Sequence, residues 1–298
     1  MKVYTDIAKV KAEWDKFNVS DFIHSTFLEV FYINHPKIKH LFVINKDMRL
    51  YAHIFELRFD KIVRYLKNKR LGLFVKLLNF NVLYLTNSFI TNIPAFASKY
   101  KINLDKFLSV LQYNYTLLVL PDFVFNNITT EKNEFCKIEV EGDMVLEIHN
   151  KWCDLDSYIS DFRKKYRKKI KKFLNSSSEI EIRPMNANDL VFYSDNIKDL
   201  FSQVINESKF SGPLFNTDSF LSLIKKDIFK VYGYFINSDL IAFSSEIHQE
   251  KILYSYYVGF DKSLNKTSSI YPRILLETIS NAIVLKMDKV VFGRTANE

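Results

Sequence analysis

The hydrophobic and polar positions of the last fifty residues predict one folding unit. Residues 253–260 are rich in aromatic side chains and predict a strand. After a polar connection, 261–269, apolar residues recur at intervals of three and four, the spacing of one buried helical face. These residues are Tyr271, Ile274, Leu275, Ile279, Ala282, Ile283 and Met287. A short apolar strand follows at 290–292, so the stretch predicts a β-α-β unit with parallel strands.

The start of this helix is a candidate anion site. Ser268 or Ser269 is expected to cap the helix, and Pro272 in the first turn agrees with that placement. The unpaired amides at a helix start suit an anionic ligand. We therefore expect function to concentrate here.

The rest of the pattern predicts a mixed α/β chain. The first part predicts a helix at 22–32, a hairpin at 41–44 and 50–59, helices at 60–69 and 104–113, a buried strand at 117–120, and a second hairpin at 137–140 and 144–148. The second part predicts a basic helix at 161–174, a strand at 179–183, helices at 189–205 and 217–226, and a meander at 230–236, 240–248 and 252–260.

Length and composition limit the class of protein. A chain of 298 residues is long enough for two domains, and we place them at 1–150 and 151–298. With 48% hydrophobic and 26% charged residues, the composition is that of a soluble globular protein. The sequence has no secretory signal and no apolar run of ~20 residues, so we expect a cytoplasmic protein with no transmembrane segment. Cys136 and Cys153 do not have metal-ligand spacing, and no metal site is expected.

The net charge of +8 has a local origin. Eight basic residues and no acidic one lie between 163 and 172: Arg163, Lys164, Lys165, Arg167, Lys168, Lys169, Lys171 and Lys172. Like charges at these helical spacings repel by roughly 0.2–0.5 kcal/mol per pair. The segment is either a solvated amphipathic helix or an anion-binding face for CoA, a nucleotide-linked precursor, tRNA or an anionic membrane surface.

The C-terminal motifs resemble those of a known family. Tyr257-Val258-Gly259-Phe260-Asp261, then Asn265-Lys266, Tyr271 and Gly293-Arg294-Thr295 resemble GNAT-like acyltransferases related to the FemAB peptidoglycan aminoacyltransferases. The match is clear over about 161–298 and faint before it. The resemblance implies an α/β protein with tandem GNAT-like halves, the C-terminal one clearer. Related chains continue past the tripeptide that corresponds to Gly293-Arg294-Thr295. The resemblance therefore leaves open whether the chain is a fragment.

The resemblance also implies a reaction. An acyl or aminoacyl group would pass from a thioester (acyl-CoA) or aminoacyl-tRNA to an amine by direct attack, in cell-envelope or peptidoglycan metabolism. Expected substrate-binding residues are Arg294, Thr295, Asn265, Tyr271, and Arg163 and Arg167 of the basic helix. Expected donor-binding residues are Lys266, Ser268 and Ser269, although their connection lacks the glycines with which typical GNAT proteins hold CoA.

Two residues are candidates for the chemistry itself. Tyr257 would protonate a leaving group or orient an amine, and Glu246, with His248 on the same face, would be the general base. Each feature also has an ordinary structural interpretation: aromatic strands are usually core, and Arg294 could form a surface ion pair with Glu298. The rival function is a non-catalytic module whose basic helix binds nucleic acid or an anionic membrane surface.

Overall fold

The computed structural model describes residues 1–17, 20–57, 80–132, 135–139, 142–207 and 212–293. Its contacts divide the chain into two units, Met1–Ile138 with Lys209–Ser219, and Glu139–Ser208 with Phe220–Glu298. Residues 139–150, which the sequence pattern assigns to the first half, lie in the second unit because the strand at Met144–Glu147 pairs with the C-terminal strand.

The first unit is built on a six-stranded sheet in the order β1-β2-β3-β4-β7, with β5 paired to β3. Its described strands are β1 (Lys2–Tyr4), β2 (Lys39–Asn45), β3 (Met48–Glu56), β4 (Asn81–Tyr84), β5 (Phe96–Ser98), β6 (Ile102–Asn103), β7 (Leu117–Val119) and β8 (Ile128–Thr129). Its described helices are a 3-10 turn (Ile7–Lys9), α1 (Lys11–Trp14), α2 (Ser25–Asn34), α3 (Leu104–Val110) and α4 (Asp122–Phe125). Strands β6 and β8 form a separate parallel pair.

The hairpin of β2 and β3 explains the density of apolar residues in this part of the sequence. Leu41 and Val43 lie opposite Ala52 and Leu50 on one face, which packs into an aliphatic core. The other face carries Phe42 against Tyr51, and His40 against His53. Both faces are covered, so alternation of side chains places apolar or aromatic residues at nearly every position.

Two predictions for the first unit were wrong. The strand predicted as buried at 117–120 is β7, with Leu117 43% and Val119 37% exposed, because it has a partner strand on one side only among the described residues. Residues 135–139 form no strand, and β9 pairs with a C-terminal strand instead of closing a hairpin. The helix predicted at 60–69 lies outside the described residues.

Three buried histidines are held as neutral rings in the first unit. His35 Nδ1 donates to the Phe31 carbonyl (3.0 Å), so its Nε2 accepts from the Asn216 amide (2.9 Å). His40 Nε2 donates to the His35 carbonyl (3.2 Å), and its Nδ1 accepts from the Tyr51 hydroxyl (2.7 Å). Burial lowers the pKa of His35 and of His40 to about 4, and it lowers the pKa of His53 well below its usual range.

The second unit is a six-stranded sheet in the order β10-β11-β12-β13-β14-β9. Its strands are β9 (Met144–Glu147), β10 (Glu181–Pro184), β11 (Phe229–Ile236), β12 (Asp239–Gln249), β13 (Ile252–Phe260) and β14 (Lys289–Gly293). Its described helices are α5 (Leu155–Ser160), α6 (Lys164–Ser176), α7 (Ala187–Phe192), α8 (Ser194–Glu207), α9 (Ser219–Leu223), α10 (Lys262–Ser268) and α11 (Ile270–Val284). The predicted meander and the parallel pairing of β13 with β14 are confirmed.

Helices cover both faces of this sheet. Helix α11 packs Ile270 and Ile274 on Tyr234 and Ala242. On the opposite face, the backbone of α8 comes so close to β13 that a Cβ at Gly259 would lie 2.7 Å from the Phe201 nitrogen and would overlap the Phe243 ring. Only glycine lets α8 lie at this distance.

The buried histidines predict loss of stability in acid. From pH 6.5, their ordinary pKa, to about pH 4, the unfolded chain binds protons that the folded unit excludes, so the free energy of unfolding falls as the pH falls. His35 and His40 each contribute about 3 kcal/mol to that loss. In urea unfolding across this range, His40→Gln should reduce the loss, while the exposed His149→Gln should not. A wild-type unfolding free energy that is constant across the range would contradict the prediction.

Gly259→Ala should destabilise the second unit by about 1–3 kcal/mol, because the added methyl group must displace the α8 backbone. Gly142→Ala is the matched control, since its Cβ would meet nothing within 4 Å. The two variants can be compared by thermal unfolding. Equal melting temperatures would show that α8 is free to move away from β13.

Candidate active site

The parallel strands β13 and β14 separate at the level of the sequence motif. Their described pairing covers only Ile252 with Lys289, Leu253 with Val290, and Tyr254 with Val291. Strand β13 continues to Phe260, and on this side it has no partner strand among the described residues. Where neighbouring strands separate, an extended ligand with amide groups can pair with strand backbone, and we call this place between the two strands the slot.

A β-bulge lies where the slot begins. Ser244 pairs with Val258 and Glu246 with Ser255, so the single residue Ser245 lies opposite Tyr256 and Tyr257. The Ser245 hydroxyl accepts a hydrogen bond from the Tyr257 amide (2.8 Å) and donates one to the Tyr257 carbonyl (3.1 Å). This one side chain therefore replaces the ladder bonds that the bulge disrupts.

Tyr257 faces helices α8 and α9. Its ring packs edge-on against Phe201 (5.8 Å between centroids) and Phe220 (6.2 Å). Burial raises the pKa of the Tyr257 phenol well above its usual range. The hydroxyl therefore stays protonated at neutral pH. It can donate a proton, but no phenolate is present to act as a general base before the reaction begins.

Glu246 lies on the other face, under α11. It is 1% exposed; its Oε1 accepts from Asn281 Nδ2 (2.9 Å) and its Oε2 pairs with His248 Nε2 (3.1 Å). The prediction that Glu246 and His248 share a face is confirmed. Regular alternation along β13 would place Ser255 and Tyr257 on one face, but the bulge places Ser255 opposite Glu246 and turns Tyr257 away. The structure therefore does not bring Tyr257 and Glu246 together.

A second carboxyl group lies near Glu246. Glu277 of α11 forms an ion pair with Arg273 (3.3 Å), and burial raises the pKa of Glu277, with the charge of Glu246 acting in the same direction. Tyr232 on β11 lies close enough to both carboxylates that their charges add to the effect of burial in raising its pKa. The sequence pattern does not single out Glu277 or Asn281.

The polar connection before α11 is itself a helix, α10. The Asp261 carboxylate caps it by accepting from the amides of Ser263 (2.8 Å) and Leu264 (3.3 Å). Ser269 ends α10 in the left-handed region at φ 48° and is also the first residue outside α11. The connection from β13 to α11 is therefore a helix, α10, which directly adjoins α11, and not a glycine-rich loop.

The start of α11 is capped in a way that the sequence did not predict. The Asn265 side chain accepts from the Tyr271 amide (2.8 Å), which brings these two predicted site residues together. The predicted serine cap was wrong: Ser269 makes no side-chain bond to the helix and accepts instead from the Ser176 hydroxyl (2.8 Å). Pro272 has no amide hydrogen, and the Arg273 amide bonds the Ser269 carbonyl. Few amides therefore remain for an anion.

The remaining predicted donor-binding residues lie on α10 beside this junction. Lys266 is exposed, and Ser268 is half-buried in the last turn of α10. Arg294 and Thr295 lie outside the described residues, so their roles stay predictions.

The basic helix α6 packs by its apolar side and leaves its charges outside. Ile170, Phe173 and Leu174 contact the core beneath α11. The Ser176–Ser269 bond joins the end of α6 to the α10–α11 junction. Arg163 precedes the first turn, roughly 20 Å along the helix axis from Ser176, and is exposed, whereas Arg167 is half-buried. In the described ranges, none of the eight cations pairs with an acidic side chain.

Two other kinds of site are absent from the described residues. No cluster of three or more histidine, cysteine, aspartate or glutamate side chains there has a geometry suited to a metal ion. No helix there is both long and apolar enough to cross a bilayer.

Comparison with known proteins reveals similarity in structure only. No protein-family model matches the chain, and a search of curated proteins finds no match. L-PGS from Bacillus licheniformis matches with a TM-score of 0.54 at 10% identity, over 99% of this chain and 78% of that one. A conserved protein of unknown function from Bacteroides thetaiotaomicron matches with 0.53 at 11% identity, over 99% and 91%. FemX matches with 0.48 at 8% identity, over 100% and 90%, a score too low to support an argument.

The first two likenesses extend over nearly the whole chain and show the fold. They show that the chain shares the fold of these two proteins, and the two mixed sheets with their covering helices confirm the predicted α/β class. At this identity they do not define an activity.

The cap of α11 can be tested directly. Asn265→Ala should lower the free energy of unfolding by about 1 kcal/mol, the usual cost of losing a helix cap. Asn265→Asp should retain most of the stability, because a carboxylate also accepts from the Tyr271 amide and suits a helix start. Ser268→Ala is the matched control, and urea unfolding is the measurement. A larger loss of unfolding free energy for Ser268→Ala than for Asn265→Ala would show that a serine, and not Asn265, caps α11.

Proposed function

We propose that the protein is an N-acyltransferase that moves an acyl or aminoacyl group from a thioester or ester donor to an amine. The observation that carries the proposal is the slot between β13 and β14, which opens at the Tyr256–Tyr257 bulge. Separating strands can hold an extended donor by backbone hydrogen bonds, and positioning of this kind supplies much of the catalysis in a direct transfer.

Of the two donors, the geometry favours aminoacyl-tRNA over acyl-CoA. A pyrophosphate needs several free amides, and the start of α11 offers few, since Asn265 occupies the Tyr271 amide and Pro272 has none. The amides of Ser263 and Leu264 at the start of α10 are occupied by Asp261. The acceptor is an amine of a small molecule or a cell-wall precursor, and the motif resemblance supports cell-envelope or peptidoglycan metabolism as the setting.

In this proposal Tyr257 moves a proton between the amine and the leaving group. The amine nitrogen forms a bond to the carbonyl carbon, and the bond from that carbon to the donor oxygen or sulfur breaks. The phenol donates its proton to the leaving atom and takes up the proton that the nitrogen loses. A tyrosine whose pKa is raised by burial suits this part, because it is neutral before and after the step.

Glu246 is predicted to act through other residues. Both of its oxygens are occupied, by Asn281 and His248, and it lies on the face opposite Tyr257. We assign it the role of holding α11 against β12 beside the slot. Arg294 and Thr295 remain the predicted clamp for the substrate.

The proposal is tested first by thermal unfolding with acetyl-CoA, longer acyl-CoAs, free CoA, aminoacyl-tRNA and a nucleotide-linked peptidoglycan precursor. A ligand at a hundred times its dissociation constant stabilises the folded state by about 2.7 kcal/mol. We expect a shift with aminoacyl-tRNA and none with CoA species. A shift with CoA species alone would reverse the donor assignment.

The catalytic part is tested by Tyr257→Phe in a transfer assay with the donor so identified. We expect kcat to fall on the order of 100-fold with KM nearly unchanged, as for loss of a proton-transfer group. Tyr254→Phe, on the same strand, is the matched control. Equal activity of the two variants would remove Tyr257 from the mechanism.

A second candidate function rests on α6. Its eight cations, which have no acidic partners among the described residues, favour a binding module with no catalysis, which docks on nucleic acid or on an anionic membrane. Steeply salt-dependent binding together with no turnover of any donor would favour this alternative.

A further inference from the structure

The six lysines of α6 form one outward surface. At 100° per residue they occupy an arc of about 160°, centred opposite the apolar stripe of Ile170, Phe173 and Leu174. All six are exposed: Lys164, Lys165, Lys168, Lys169, Lys171 and Lys172. They extend over about 12 Å of helix axis, so a flat surface touching the helix lies within about one Debye length of most of them. We call these six residues the lysine face.

The lysine face is not neutralised by the part of the protein that the structure describes. None of its ammonium groups lies within ion-pair distance of a described acidic side chain, although like charges at these helical spacings repel. Helix α10 lies beside the end of α6 and adds the exposed Lys266. The charge therefore extends over two adjacent helices and complements an anionic surface.

We propose that the lysine face docks the protein on an anionic lipid bilayer. A cluster of four to eight cations beside a membrane is attracted by acidic headgroups without needing a shaped pocket. The apolar stripe of α6 is packed against the protein core, so the contact is electrostatic and the helix does not insert. The proposal does not depend on the acyl-transfer reaction.

The composition of the surface favours a bilayer over RNA. RNA-binding surfaces use aromatic side chains that stack on bases, and arginines whose planar guanidinium groups form bidentate hydrogen bonds with phosphates. The lysine face has neither: Arg163 and Arg167 lie on the flank near the apolar stripe, as does Tyr166. The deep, narrow major groove of A-form RNA also excludes a helix. Lysines act as point charges, which is all that a headgroup layer requires.

The test is cosedimentation of the full chain with vesicles. We expect binding to mixed phosphatidylglycerol–phosphatidylcholine vesicles, none to phosphatidylcholine alone, and release as salt is raised. The triple variant Lys164→Gln, Lys168→Gln, Lys172→Gln removes the centre of the face and should weaken binding on the order of 100-fold. The matched control, Lys2→Gln, Lys9→Gln, Lys101→Gln, removes the same charge from exposed positions of the first unit and should change binding less than about threefold.

Three results would overturn the proposal: no wild-type binding to anionic vesicles at low salt, equal loss in the two triple variants, or displacement from vesicles by RNA at a lower phosphate concentration than the lipid. The last would assign the face to nucleic acid. Glutamine is as good a helix former as lysine and relieves repulsion, so the α6 variant should melt no lower than wild type. If the triple variant does not fold, the single variant Lys168→Gln replaces it in the test. We then expect binding to anionic vesicles to be about fivefold weaker than for wild type.

Discussion

The hydrogen bonds between the Ser245 hydroxyl and the backbone of Tyr257 are the interaction on which the geometry of the candidate site depends. A bulge leaves backbone groups without ladder partners, and in a buried strand each such group costs about 1–3 kcal/mol. One serine satisfies two of them. Because the bulge is tolerated there, Tyr257 faces α8 and α9, and Ser255 lies opposite Glu246 on the other face.

The bulge also separates the chemistry of the two faces. On one, an aromatic pocket of Phe201 and Phe220 surrounds a phenol that stays neutral. On the other, Glu246 and Glu277 share a polar layer beneath α11 with Asn281 and Arg273. A mechanism that used Tyr257 and Glu246 as one acid–base pair would fail on this geometry. The two residues can contribute to one reaction only if one of them has an indirect role, as we propose for Glu246 through its contact with Asn281 of α11.

The local periodicity of the sequence predicted much of the second unit. Most of the features that it did not predict depend on contacts between residues far apart in the sequence. The meander and α11 were predictable because their alternations of 2 and 3.6 are complete within each element. The bulge was not predictable, because the sequence pattern from Tyr254 to Phe260 is that of an aromatic strand whether or not β13 has one residue more than β12 at this point. The Asn265 cap acts across a helix boundary, six residues from its amide. Strand β9 pairs with β14 across more than 140 residues, and no local pattern indicates that partner.

The short stretch that carries Asn216 also affects how the chain is made. It follows α8 of the second unit, yet Asn216 donates to His35 and Phe215 packs beside Phe89 in the first. The first unit is therefore a discontinuous piece of polypeptide. During synthesis it cannot complete its core when residue 138 leaves the ribosome, and must wait until residue 219 has emerged. A chain cut at the apparent boundary would lack the segment that covers His35.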